Sequence, residues 1–338
     1  MAFESFVIAP LEMFEAVIHP AFSDLLPAGQ GVYDGVLTEF TLMDNVKSRR
    51  PVVDIRQKMN ILQRRDASCE LNYKKVMGTG VRSIEVSDLY GATKHCQNEF
   101  YQGDLRDWRN ESDLFGSRIL PFFQKAMRTD LAANAWFGDI NRVGGGAFST
   151  NVFDGIFKWL LTYSNLGLIA AAQTKQATVG DYRANPGLAF QLIKAVYDAQ
   201  PVLMDALPDQ SKAFYVDKDI LAGYQEYVRS LGTSSKELID LYGKGAMTLD
   251  TYNGIPIIVI PLFKPILADI HGDANHHACI LTMRGNFVFG TDKTYGEGEN
   301  DEEALMIWYE RKELSWYYNQ FLKGGTQIAE PEMVVYAI

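Results

Sequence analysis

Apolar positions along this chain change spacing repeatedly, and the changes mark out its elements. Between Asn110 and Phe137, Phe122, Phe123, Ala126, Met127, Leu131 and Ala135 recur at helical spacing. Asn110 or Ser112 can cap that helix, Gly138-Asp139 closes it, and Pro121 either opens it or kinks it. Shorter helical patterns cover Val152–Leu161, Pro186–Leu207 (with Pro201 late in it) and Asp219–Ser230, the last capped by Asp219. Residues 69–76 and 81–86 alternate loosely and predict two strands, with Gly78-Thr79-Gly80 as a hairpin loop between them. Ala213–Val216 predicts another short strand.

From Tyr252 onward strands dominate. Asn253-Gly254 is the strongest hairpin turn in the sequence. The apolar run after it contains Pro256 and Pro261, which predicts a strand that bends or lies at an edge. Arg284-Gly285-Asn286 reads as a turn between strands at 278–282 and 286–292. The aromatic segments 304–310 and 313–322 predict a strand pair. Gly324-Gly325 then separates them from a last strand, Pro331–Tyr336. At the other end, residues 8–25 are apolar and partly helical but hold Pro10 and Pro20, and Gly29-Gln30-Gly31 breaks the pattern; this predicts an arm. Helices and strands interleave without regular βαβ units, so the class is α+β.

Composition narrows the function. Of 338 residues, 47% are hydrophobic, enough to build a sizeable core. The net charge of −10 argues against a molecule built to grip phosphates. Against that acidic background, residues 47–75 hold nine basic and three acidic side chains. Tyr73 is the one aromatic there, so base stacking has little support. A protein contact is favoured: Arg56, Arg64, Arg65, Lys74 and Lys75 would meet acidic surface such as Glu299, Asp301 and Glu302 on a neighbour. A solvated charged loop is the bland alternative. Three cysteines, Cys69, Cys96 and Cys279, without close spacing predict reduced thiols. Neither a secretory signal nor an apolar stretch of membrane-spanning length is present.

Catalytic motifs fail one by one. No G-x-S-x-G elbow occurs. Gly243-Lys244-Gly245 lacks both the earlier glycine and the following Ser or Thr of a phosphate-binding loop. One cluster remains, Asp269, His271, Asp273, His276 and His277. Its residue types can ligate metals, and His271, His276 and His277 are the weak metal candidates. Adjacent His276 and His277 point opposite ways in extended chain, however, and a polar loop between strands is the simpler reading.

The order of pieces in the last 130 or so residues carries a resemblance. Lys212-Ala213-Phe214-Tyr215-Val216, Tyr252-Asn253-Gly254-Ile255-Pro256-Ile257, Ile280-Leu281-Thr282 with Asn286–Asp292, and Gln327-Ile328 with Pro331-Glu332 and Val334-Val335-Tyr336 follow one another as in major capsid proteins of tailed double-stranded DNA bacteriophages. The chain resembles that family, whose fold is the Hong Kong 97 type. The resemblance implies an N-terminal arm at 1–45, an extended β-hairpin (the E-loop) at 46–105, and a peripheral domain at 106–150 with a spine helix over about 111–137. It further implies an axial domain at 151–300 and C-terminal strands at 301–338 returning to the peripheral domain.

The implied function is structural: self-assembly into hexamers and pentamers of an icosahedral shell around double-stranded DNA, with no enzymatic activity and no cofactor. Implied partners are other copies of the chain, a separate scaffolding protein, a portal, decoration proteins and non-specifically contacted DNA, with no membrane. The implied place is the virion capsid, assembled in the bacterial host cytoplasm. Two other readings stay open: an encapsulin-like compartment enclosing a cargo enzyme, and a metal-dependent enzyme built on His271, His276 and His277.

Overall fold

In the computed structural model of the protein, the described residues are 39–43, 46–51, 82–96, 120–143, 148–230, 247–248, 250–291, 306–310 and 312–338. The strands are β1 (Thr41–Met43), β2 (Arg49–Pro51), β3 (Ser83–Glu85), β4 (Ser87–Cys96), β5 (Thr174–Lys175), β6 (Lys212–Val216), β7 (Met247–Thr248), β8 (Thr251–Tyr252), β9 (Ile255–Val259), β10 (Cys279–Met283), β11 (Phe287–Gly290), β12 (Met306–Glu310), β13 (Ser315–Ile328) and β14 (Val334–Ala337). The main helices are α1 (Leu120–Phe137), α2 (Ile156–Asn165), α3 (Pro186–Asp198), α4 (Lys218–Ser230) and α5 (Phe263–His271).

A seven-stranded sheet runs β5-β14-β10-β6-β9-β8-β7. Its central strands are mostly apolar on both faces because both faces are covered, with Lys212 and Thr282 as buried polar exceptions. Ala213, Tyr215, Ile280, Val334 and Tyr336 face one core, which also holds Trp136 of α1, Leu160 of α2 and Phe263 of α5. The alternate residues Phe214, Val216, Cys279, Leu281, Val335 and Ala337 face a second core with Ile193 of α3 and Tyr224 of α4. The two-residue period of a strand thus divides one sheet between two cores.

The second sheet runs β1-β11-β13-β12, with β4 also on β13. The 14-residue β13 pairs with β12 through Ser315–Asn319, with β4 through Ser315–Gly324 and with β11 through Gly325–Ile328. Gly324-Gly325 therefore does not end a strand, as the sequence suggested. A Cβ at Gly325 would strike the Glu85 carbonyl, and one at Gly324 would crowd Leu89 and Phe289. These glycines admit neighbouring chain instead of breaking their own. Gly91 does the same for α1: a Cβ there would collide with Met127.

Several predicted elements move. The Val152–Leu161 helix is displaced to Ile156–Asn165. Helix α3 stops at Asp198, and Pro201 starts a separate four-residue turn, Val202–Asp205. Ala126 is exposed, although its spacing placed it on the apolar face. Described chain enters α1 at Leu120, which puts Pro121 in the first turn; residues 110–119 are outside the described residues. The last strand starts at Val334, after a 3-10 turn at Pro331–Met333.

Asn253 and Gly254, with φ of 49° and 80°, form the expected β8–β9 hairpin turn. Pro256 pairs only with Thr251 of β8, before β9 turns to β6 at Ile257, so it never has to donate to a second neighbour. The Arg284–Asn286 turn is present, but the strands it joins, β10 and β11, belong to different sheets. Sheet membership also crosses the expected boundary at residue 300: β11 lies with β13 and β4, and β14 lies with β10.

Candidate functional site

The chain passes between the two sheets at Arg284–Asn286 and again at Ala329–Met333. Backbone groups leaving a sheet need new partners when buried. Asn286, fully buried, supplies them. Its Nδ2 donates to Thr282 Oγ1 (2.8 Å) and the Glu330 carbonyl (3.0 Å), and its Oδ1 accepts from Glu330 N–H (2.7 Å). Gln173 Nε2 adds bonds to the carbonyls of Glu332 (2.9 Å) and Val334 (2.8 Å).

The same junction holds the root of the basic segment. β2 and β3 pair antiparallel, Arg49 opposite Glu85 and Pro51 opposite Ser83; residues 52–81, between them in sequence, lie outside the described residues. Gln327 Nε2 donates to the Ser83 carbonyl (3.1 Å), while its Oε1 accepts from Tyr163 Oη–H (2.5 Å). Arg82 donates to the Ala329 carbonyl and lies over the Tyr163 ring, 5.9 Å from its centroid. Burial pushes the Tyr163 phenol up, with Arg82 and Gln327 opposing. It therefore stays protonated as a donor at neutral pH. The contact candidates Arg56, Arg64, Arg65, Lys74, Lys75, Glu299, Asp301 and Glu302 lie outside the described residues.

Segment 39–48 is stitched to the same region. Phe40 is buried against Trp136 (ring centroids 5.0 Å apart), Phe287 and Phe289. β1 pairs parallel with β11, and Thr291 N–H continues the ladder to the Met43 carbonyl (3.0 Å).

Of the three candidate histidines, adjacent His276 and His277 diverge as the alternation required. His271, at the end of α5, stacks on His276 with ring centroids 4.1 Å apart and planes 16° apart. Burial lowers the His271 pKa, and His276 and Arg142 lower it further. His277 turns inward and is buried. It meets Asp217, which the sequence did not single out, and Asp219, expected there only as a helix cap. Among the described residues, ligand-type atoms of Asp217, Asp219 and His277 lie within 4.8 Å of one another.

That group is already filled by protein cations. Arg183 Nε donates to Asp219 Oδ1 (2.5 Å), and Lys264 donates to Asp219 Oδ2. Burial alone would raise the Asp219 pKa, but these cations bring it below the ordinary value. Both His277 nitrogens are engaged, Nδ1 with Asp217 Oδ2 (2.9 Å) and Nε2 with the Gly180 carbonyl (2.8 Å). Both ring nitrogens face protein acceptors and Asp219 faces two protein cations, so the donor set does not fit a metal. Asp217, not Asp219, caps α4: its Oδ1 accepts from the N–H groups of Asp219 (2.8 Å) and Ile220 (3.0 Å). Asp217 and Asp219 both border Lys218, and the sequence signal could not separate them.

No protein-family model matches the chain, and no curated protein matches it. Solved structures do. A chain from the satellite phage P4 procapsid, in a structure that includes the size-determination protein, matches with a TM-score of 0.56 and 14% identity, over 89% of this chain and 93% of that one. A chain from the capsid of Myoviridae phage XM1 matches with a TM-score of 0.54 and 12% identity, over 91% and 93%. The chain has a phage-capsid fold. At these identities the likeness is one of architecture, and it spans the whole capsid fold, not one sheet of it. Among the described residues no helix is long and apolar enough to cross a membrane.

Proposed function

We propose that the chain is a major capsid protein whose copies form the hexamers and pentamers of an icosahedral shell enclosing double-stranded DNA. The observation that carries this reading is the near end-to-end likeness to two phage-capsid chains. The junction adds a physical reason. Arg82 and Ser83, at the root of the basic segment, are tied into the place where the sheets meet. An anchored root of this kind is what the proposed E-loop needs to reach a neighbour.

In this reading residues 1–45 are the arm, 46–105 the E-loop, 106–150 the peripheral domain, 151–300 the axial domain and 301–338 the returning strands. The basic side chains Arg56, Arg64, Arg65, Lys74 and Lys75 meet Glu299, Asp301 and Glu302 of an adjacent copy. Complementary charge there would set register and association rate more than affinity. The net charge of −10 suits a container that must release its nucleic acid. A scaffolding protein, a portal and decoration proteins complete the assembly, which takes place in the bacterial cytoplasm.

Electron microscopy of the protein expressed alone and with its genomic neighbours tests the proposal. Uniform icosahedral particles are expected, and a persistent small oligomer under all conditions overturns it. Particles filled with a protein cargo instead of DNA would favour the encapsulin reading. Reversing Glu299, Asp301 and Glu302 to Lys should slow assembly; unchanged assembly removes that contact.

A further inference from the structure

His277 lies between two acceptors. The Gly180 carbonyl cannot donate, so the 2.8 Å contact requires a proton on Nε2. Asp217 sits at the N-terminus of α4 with both oxygens turned to donors: Oδ1 accepts from the N–H groups of Asp219 and Ile220, and Oδ2 accepts from Ala278 N–H (3.4 Å), so the carboxylate faces the ring as an acceptor. The 2.9 Å contact to it therefore requires a proton on Nδ1 as well. We propose that His277 is a buried, doubly protonated imidazolium that clamps the segment 176–185 to the start of α4, and that losing one proton opens the clamp.

The segment 176–185 links β5 to α3. Its Gly180 peptide is gripped on both sides by one stretch of chain: the carbonyl accepts from His277, and the N–H donates to the Asn275 carbonyl (3.2 Å). Tyr182 packs edge-on against His277, ring centroids 4.3 Å apart. Val179, next to Gly180, is exposed. The clamp thus fixes how an apolar surface residue is presented.

The charged and titratable groups around the ring come from every neighbouring element. Asp217 follows β6, and Asp219 lies on α4. Arg183 and Tyr182 lie on the clamped segment, Lys264 on α5 reaches in through Asp219, and Cys279 starts β10. Burial pushes up the Tyr182 phenol, to about 12, and the Cys279 thiol, and Asp217 adds to both, so neither competes near neutrality. Burial alone would lower the His277 pKa; the hydrogen bond and charge of Asp217, with Gly180 and Asp219, raise it above the ordinary value.

On deprotonation the remaining proton stays on Nδ1, facing the carboxylate. Nε2 then turns a lone pair towards the Gly180 carbonyl, and attraction becomes repulsion. The Arg183–Asp219 ion pair still tethers the segment, so the expected response is local loosening.

Nitrogen NMR of histidine-labelled full-length protein reads the ring directly. Both His277 nitrogens should be protonated at pH 7 and titrate above an ordinary histidine, and a neutral single tautomer at pH 7 overturns the proposal. Amide exchange reads the clamp. After correction for intrinsic rate, the Gly180 amide should exchange about tenfold faster at about pH 9 than at about pH 6, the loss of one charge-assisted bond. Arg183→Gln, which leaves His277 in place, should keep that pH dependence, and His277→Gln should remove it. Equal Gly180 protection at both pH values in the unaltered protein overturns the proposal independently of either variant.

Discussion

Two buried polar centres organise this molecule, and they are built on opposite principles. The sheet junction around Asn286, Gln173 and Gln327 is built on neutral amides with matched donors and acceptors, and its Arg82 guanidinium is bound by a backbone carbonyl and a ring, not by a carboxylate. The clamp around His277 uses charge: two carboxylates against an imidazolium, an ammonium and a guanidinium. Neutral networks hold at any pH the fold survives. Charged ones hold only while every member keeps its proton state, because an unpaired buried ion costs far more than an unpaired amide. The joint that ties the β2–β3 pair to both sheets is thus made insensitive to solution conditions, and the surface segment at 176–185 is not.

The sharpest way to break the comparison is to remove one ion. Asp217→Ala should destabilise the unassembled subunit by about 4 kcal/mol near pH 6, since it strands His277 and uncaps α4; urea unfolding measures it. Asn286→Ala should cost about 3 kcal/mol by leaving buried Glu330 and Thr282 groups unmatched, and that loss should be the same at pH 5.5 and pH 8. A loss that varied with pH would merge the two centres into one.

Gly325→Ala should cost about 2 kcal/mol, as the Cβ pushes on the Glu85 carbonyl and shifts β3 against β13. Tyr163→Phe removes one neutral bond to Gln327 and should cost about 1 kcal/mol.

The pH profile of the unaltered subunit sharpens the contrast further. The His277 pKa is raised in the folded chain, so its contribution is complete below about pH 6.5 and fades as pH rises through the folded value. The Asp219 pKa is lowered, so its contribution is complete above about pH 4 and fades as pH falls through the folded value. Thermal unfolding across pH should show both flanks, and His277→Gln should flatten only the alkaline one. The smallest effect belongs to Asp88→Ala: its carboxylate is exposed and 3.6 Å from Lys323, so stability should change by less than about 0.5 kcal/mol.

Local chemistry made the strands legible. Asn253-Gly254 demanded positive φ, and the apolar run Ala213–Val216 showed its strand, which starts one residue earlier at Lys212. Adjacent His276 and His277 had to diverge, and they do. What the sequence hid depends on contacts between distant residues. Gly324-Gly325 looks like a break until β3 and β4 are laid across it. The polar strand Ser87–Cys96 carries a weak pattern of its own and is ordered by ten partners on β13. His277 was visible as a histidine, but Gly180 and Asp217, which give it a role, lie 97 and 60 residues away.

The parallel seat of β1 on β11 has a mechanical consequence. A pull directed along β1 from residues before 39 meets its hydrogen bonds side by side, in shear, so they must fail together instead of unzipping singly. Phe40 adds a plug that has to be drawn past Trp136, Phe287 and Phe289. Segment 39–43 is therefore a rivet for tension: a load applied along it is delivered to the aromatic centre of the subunit and not to its surface.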